Sequence, residues 1–420
     1  MKKFKVFLGL LLVIAVLTLV ACAPEREGAS QSEENKEQGE ENQSEEKPDE
    51  LKVWVNDEEE AIEAAEEMFT KYKEETGIDV VVEQVPMPDQ LQKLSLAGPT
   101  GDGPDLFFQP QDRLGDVVAQ GLAEPFEYTD EELSGYSEAA IDAFTYEGQL
   151  YGSPVTIDTY FLYYNKSLVD SPPETMDEVY EISKELTAPE KDQFGFLISP
   201  EFYYLYSFMN AYGGYIFGEE DGVYDTSDIG LDNEGSIAGL QEYKKFIDEG
   251  LLPKSLTVDV IDGLFTEGKV GMAVSGPWNI PIYQEALGED LGTAPLPKIN
   301  GEAAPSFVGV KAWLVSSYSE SPEWAMNLAK YMTNNENSQL YYDLTGEIPP
   351  RPEILESIED PVYDGYTAQI PNGTPMPNIP EMSVVWDMDD AIELIVNGGD
   401  VEENLKDVVG NIKDKIQLSE

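Results

Sequence analysis

Beyond residue 50 the apolar positions fall into short runs that alternate with helical stripes. Leu51 to Val55 is a short apolar run that reads as a strand, and from Glu60 to Thr76 the residues Ala61, Ala64, Ala65, Met68, Phe69 and Tyr72 recur at helical spacing. Gly77 stops that helix; Ile78 to Val82 reads as the next strand, and Asp105 to Phe108, after a Gly-Pro turn, as a third. Phe161–Tyr164, Val270–Val274, Gly292–Leu296 and Ala312–Val315 are further strand candidates. Met176–Leu186, Gly235–Glu249, Ser321–Met332 and Asp387–Val396 carry helical periodicity. Strand, helix, strand at this spacing predicts right-handed βαβ units, an α/β class and a mostly parallel sheet. No repeat of fixed period is present, which excludes a solenoid or propeller.

The first 50 residues follow another logic. Lys2, Lys3 and Lys5 precede an apolar run from Val6 to Val20, too short to span a hydrocarbon core of about 30 Å. A basic start, a short apolar centre and small residues before a cut site read as a secretory signal. Leu19-Val20-Ala21-Cys22 resembles the bacterial lipobox, and the chain's one cysteine falls on its lipidated position. That resemblance implies a signal peptide over 1–22 and a diacylated Cys22, which holds the protein to the outer face of the cell membrane. Residues 23–50 have 11 acidic and 3 basic side chains and no aromatic, so they read as a disordered acidic tether spanning roughly 30 Å.

Composition narrows the chemistry. With 420 residues the length fits two or three lobes, and 41% hydrophobic residues suffice for a real core. The absence of histidine excludes Ser–His–Asp and Cys–His nucleophile pairs and the HExxH zinc helix. A single cysteine excludes an intrachain disulfide and a thiolate zinc cluster. A net charge of −58, from 83 acidic against 25 basic residues, repels phosphate backbones and makes nucleic acid a poor partner. A neutral or cationic ligand suits such a chain better than an anion.

Several motifs, in order, carry a family resemblance: VWVN at Val53–Asn56, TGDGPDLFF at Thr100–Phe108, QDRLGD at Gln111–Asp116 and YYNKSLV at Tyr163–Val169. PPET at Pro172–Thr175, YGGY at Tyr212–Tyr215 and FTEGKVGMAVSGPW at Phe265–Trp278 continue the set, which ends with FVGV from Phe307 and MPNIPEMSVVW at Met376–Trp386. Together they resemble the extracellular solute-binding proteins of the maltose/maltodextrin-binding type, the receptor components of ABC importers. The resemblance implies a two-lobed, periplasmic-binding-protein-like α/β fold with discontinuous lobes and a ligand cleft between them. By it the first lobe would comprise residues 51–157 and 313–360, and the second 158–312 and 361–420. It implies no enzymatic activity and no cofactor or metal; the partners would be a neutral oligosaccharide, α-glucan first, and membrane permease subunits.

A sugar has a hydroxyl rim and apolar C–H faces, so its site needs flat aromatic surfaces and planar groups that make paired hydrogen bonds. The positions mapped by the resemblance have this character: Asn56 and Glu58 after the first strand, Gln109, Asp112 and Arg113 after the third, Asp158, Glu201, Tyr203, Tyr206, Trp278 and Trp386. Each has a plainer role open to it. Asp112 and Arg113 could be a surface ion pair, the two tryptophans core fillers, and Tyr203 and Tyr206 the apolar face of a helix. Two departures bear on the ligand. Gln109 stands where the maltose binders place an aromatic platform, and Glu58 and Glu59 stand where they carry a lysine, which favours an altered oligosaccharide preference, such as a longer or cyclic glucan or trehalose.

A glycoside hydrolase built on two carboxylates is the competing class, but among 83 acidic residues a carboxylate pair has no diagnostic value. Asp221 to Asp228 is acidic without the spacing of a calcium loop. The charge excess itself points to a saline or alkaline habitat, because repulsion of this size destabilises a compact fold unless salt screens it. Thermal melting is therefore expected to shift upward between low and molar salt; a salt-independent midpoint would remove that reading.

Overall fold

The computed structural model describes residues 46–220 and 223–419. The expected signal segment, Cys22, most of the tether and Asp221 lie outside the described residues. Among the described residues no helix is long and apolar enough to cross a membrane.

The first sheet has seven strands, with Gly373–Pro375, Ser306–Ser316, Leu106–Pro110, Glu50–Val55 and Asp79–Gln84 side by side, and with Ala123–Glu124 and Ser153–Thr159 also paired to the long Ser306–Ser316 strand. Its central strands are buried on both faces, and alternation divides their side chains. Leu51, Val53, Val55, Leu106, Phe108, Trp313 and Val315 pack on one side, beneath the helices Glu59–Thr76 and Pro322–Met332. Trp54, Phe107, Ala312 and Leu314 pack on the other. Gly77 ends the first helix in the left-handed conformation at φ 76°, where only glycine avoids a Cβ penalty.

The second sheet has the order Leu291–Ala294, Phe161–Asn165, Val270–Ser275, Phe194–Leu197. The largest core surrounds it and draws on the helices Met176–Leu186, Phe202–Ala211, Glu234–Asp248 and Val401–Ser419. Only Tyr160 separates Ser153–Thr159, in the first sheet, from Phe161–Asn165, in the second.

The expectation of mostly parallel sheets needs correction. Glu50–Val55 is parallel to both its neighbours, and Val270–Ser275 to Phe194–Leu197. The long strand Ser306–Ser316, however, is antiparallel to Leu106–Pro110 and Ser153–Thr159, and Phe161–Asn165 is antiparallel to both its partners. The reason is connectivity. Ser153–Thr159 carries the chain out of the first sheet and Ser306–Ser316 brings it back, so the two run in opposite directions where they pair. Asp225 and Asp228, in the acidic stretch considered for calcium, accept hydrogen bonds from Ser227 and Tyr215 within a hairpin.

Close packing in the second sheet depends on Gly195: a Cβ there would lie 2.4 Å from the Ser183 Cα of the covering helix Met176–Leu186. Gly195→Ala is expected to cost about 1–3 kcal/mol by overpacking and to lower the melting temperature. Gly263→Ala, in the helix Val258–Thr266 with open space around an added Cβ, should instead stabilise by roughly 0.4–1 kcal/mol. Melting curves that move both variants the same way would contradict this packing.

Candidate functional site

A cavity of about 410 Å³ lies where elements of the two sheets meet. From the first sheet come Gln109, at the end of Leu106–Pro110, Asp112 and Arg113 in the single 3-10 turn that follows, Asp158 in Ser153–Thr159, and Lys311 in Ser306–Ser316. From the other side come Glu201 and Tyr203 at the start of Phe202–Ala211, Trp278 in the turn after Val270–Ser275, and Trp386 just beyond the short helix Met382–Val385. Glu58, which precedes the helix Glu59–Thr76, lines it too.

The turn that presents Trp278 is locally determined. Pro277 starts a 3-10 helix, where its missing N–H is no loss, and the indole folds back so closely over Gly276 that a Cβ there would sit 2.1 Å from the ring. Tyr163 Oη donates to the Gly276 carbonyl at 2.7 Å, and Asn279 Nδ2 donates to Ser275 Oγ and Asp262 Oδ1, each at 2.9 Å. Trp386 is held from the opposite side. Its Nε1 donates to Asp112 Oδ2 at 3.0 Å, and its ring meets Phe202 edge-on at 5.8 Å. Both indoles are half-buried, so neither is a closed-in core filler.

Nine of the eleven positions singled out in the sequence line this cavity. Asn56 and Tyr206 do not. Asn56 Oδ1 accepts from the Met87 N–H at 2.7 Å and its Nδ2 donates to Glu58 Oε2 at 2.9 Å, so it braces the wall from behind. Tyr206 is buried and lies flat on Phe307 at 4.1 Å, the packing role open to it from the start. Gln109 is buried, and its Nε2 donates to the Met87 carbonyl at 2.9 Å.

The electrostatics centre on Asp158 and Lys311. Lys311 Nζ lies 2.6 Å from Glu347 Oε1, 3.2 Å from Asp158 Oδ2 and 5.5 Å from the Trp278 ring centre. Burial pushes the Asp158 carboxyl up to about 6; the Lys311 charge opposes that rise and Glu347 adds to it. For Lys311 burial works against the charge, but Asp158, Glu347 and Glu58 outweigh it and hold the ammonium well above the usual lysine range. Asp112 is likewise raised by burial, against the pull of Arg113, 3.6 Å away, and the Trp386 hydrogen bond. Asp158 Oδ1 is buried with no hydrogen-bond partner, although it belongs to a residue of the cavity wall. Such an acceptor is costly unless something outside the protein donates to it.

Lys311, Met87, Gly309 and Met376 also line the cavity and were not singled out from the sequence. Gly309 and Met376 lie inside motifs that had been recognised, but as framework. The signal at Lys311 was a cation inside an apolar strand of a chain poor in cations.

Tryptophan faces beside carboxylates and two cations form a surface that can bind a polar ring compound; among the described residues no nucleophile–base pair lines it. Residues 67–372 match the family described as bacterial extracellular solute-binding protein. A galactooligosaccharide-binding protein of Bacillus subtilis is 34% identical over 410 residues, covering 94% of this chain and 93% of the relative. A maltooligosaccharide ABC transporter solute-binding lipoprotein of Streptococcus pneumoniae is 30% identical over 335 residues, 77% of this chain and 78% of the relative. Among solved structures, a cyclo/maltodextrin-binding protein complexed with maltotetraose superposes with a TM-score of 0.77 at 39% identity, over 89% of this chain and 99% of that one. The fold is the two-lobed α/β arrangement of these neighbours. The chain belongs to the bacterial extracellular solute-binding family, whose members bind their ligands rather than transform them.

Proposed function

We propose that the protein is the receptor of an ABC importer, tethered to the outer face of the cell membrane through a lipid on Cys22, and that its cavity takes up a neutral oligosaccharide, an α-glucan first. The observation that carries the ligand class is the pair of half-buried indoles, Trp278 and Trp386, set across a cavity whose other walls present Asp112, Arg113, Asp158 and Glu201. Flat apolar faces with planar hydrogen-bonding groups at their edges match the surface of a sugar ring. The maltotetraose-bound neighbour and the maltooligosaccharide receptor favour an α-glucan. Galactooligosaccharide is the second reading, favoured by the relative that matches 94% of the chain and by Gln109 in place of an aromatic platform.

The resemblance divides the lobes at about 51–157 with 313–360 against 158–312 with 361–420, while the strands Ser306–Ser316 and Gly373–Pro375 join the first sheet across those bounds. The direct passage from one sheet to the other at Tyr160 supports the first crossing. Ligand contacts to both lobes favour the closed form, which then docks on the permease subunits.

Calorimetric titration tests the ligand class with maltose, maltotriose, maltohexaose, cyclodextrins, trehalose and galactooligosaccharides. Micromolar or tighter binding of α-glucans is the expected outcome, with Trp278→Ala weakening it by about 10-fold or more. Binding of galactooligosaccharides alone would keep the receptor and replace its ligand; a folded protein that binds no sugar would overturn the reading.

The pH dependence is also set. The raised pKa of Asp158 means that its carboxylate, the acceptor form, is lost as pH falls through about 6. Affinity should therefore be flat above neutrality and decline towards pH 5, and Asp158→Asn should flatten the profile. A wild-type affinity unchanged between pH 7.5 and pH 5 would remove ionised Asp158 from the site.

A further inference from the structure

The sequence lacks the cleft lysine expected after the first strand and has Glu58 and Glu59 there instead. The cavity nevertheless holds an ammonium. Lys311 reaches it from the middle of Ser306–Ser316, a strand that contributes no other charged group to the wall, and Glu58 is among the carboxylates that act on it. A lysine ammonium has three donors. Glu347 Oε1 at 2.6 Å and Asp158 Oδ2 at 3.2 Å take two of them, and the side chain remains 16% exposed to the cavity. Beside it Asp158 Oδ1, on a residue only 3% exposed, has no hydrogen-bond partner. A donor and an acceptor therefore stand next to one another on the same wall, with Trp278 5.5 Å from the donor. A donor beside an acceptor is the complement of two hydroxyls on neighbouring ring carbons, one accepting and one donating.

We propose that Lys311 is a specificity-determining residue of the sugar site: its third N–H donates to one hydroxyl of a vicinal pair whose other hydroxyl donates to Asp158 Oδ1. The inference rests on the oligosaccharide reading and deepens it. It makes the site demand a sugar with both hydroxyls free at that ring, and it moves the cleft cation from the first lobe's helix start to the strand that returns between the sheets. Glu347, whose other oxygen accepts from Tyr341 Oη at 2.6 Å, fixes the ammonium in place from the side away from the ligand.

The test uses the better bound of maltotriose and galactotriose, with the single-deoxy derivatives of that trisaccharide. Lys311→Met should weaken the parent sugar by about 10- to 100-fold, the loss expected for one hydrogen bond to a charged group, and Lys311→Arg should weaken it less. In the wild type one deoxy position should show a loss of similar size, and Lys311→Met should show no further loss at that position. Because Lys311→Met leaves two buried carboxylates without a cation, the double variant Lys311→Met/Glu347→Gln is measured alongside, with its melting temperature. It should fold and still bind as weakly as the single variant. A folded double variant with wild-type affinity would overturn the proposal, as would deoxy losses that are the same in every variant, which is what a purely structural lysine would give. Failure of the folded wild type to bind either trisaccharide or any other sugar of the titration panel would overturn the oligosaccharide reading and this proposal together, whereas wild-type binding that ignores Lys311 overturns this proposal alone.

Discussion

A buried ammonium held between two carboxylates sits where the chain leaves one sheet and re-enters it. Asp158 and Lys311 lie on the two strands that connect the sheets, paired in antiparallel register, and Glu347 closes the group from a third segment. Taking these charges out of water is expensive, and such a group gives the fold less than apolar residues of the same volume would. Removing one member, however, strands the others and costs about 3–5 kcal/mol. The register of the connecting strands is thereby fixed by charge as well as by packing, at the point from which Asp158 and Lys311 face the cavity. The incomplete satisfaction of Asp158 is consistent with a group kept for binding rather than for stability, since burial raises its pKa and the ionised form weakens the fold.

Much of the architecture was legible because the signals were local. The helix Met176–Leu186 and the strands Phe161–Asn165 and Val270–Ser275 follow from apolar periodicity almost to the residue. Strand direction was not legible, because it depends on which sheet a strand returns to, and that is decided more than 100 residues away. Residues next to strand ends do line the cavity, and motifs and the position of ligands in open α/β sheets both point there. Lys311 was missed because it lies mid-strand among Val310, Ala312 and Trp313, where sequence alone reads core. Tyr206 is the converse case: an aromatic residue on an apolar helix face that lies in the core, stacked on Phe307 and not on the cavity wall.

Gln109 is the informative exception. Its place in the cavity wall follows from the strand that ends there, but its amide is turned to the Met87 carbonyl, so it braces the helix Met87–Ala97 against the strand instead of offering a flat face. Gln90 does the same from that helix, donating to the Val85 carbonyl and accepting from the Phe108 N–H. Two buried amides thus make this wall rigid and polar, and the aromatic surfaces are left to Trp278 and Trp386 on the other side of the cavity.

The charges of the cavity sort into two similar units. Asp112 is buried beside Arg113 and accepts from the Trp386 indole; Asp158 is buried beside Lys311, which lies over the Trp278 indole. Each unit joins a carboxylate, a cation and a tryptophan and is rich in directed donors and acceptors, and the second unit carries the further carboxylate of Glu347 behind its cation. The remaining carboxylates of the wall, Glu58 and Glu201, belong to solvent-exposed residues, yet burial against the wall still raises the pKa of both. A chain with a net charge of −58 could have filled its cleft with uncompensated acid, and such a cleft would select cations. Setting a cation beside each of Asp112 and Asp158 weakens that bias and leaves directed donors and acceptors on the wall. Uncharged polyols are the ligands that such a wall binds and that neither a bare anionic nor a bare cationic pocket would prefer.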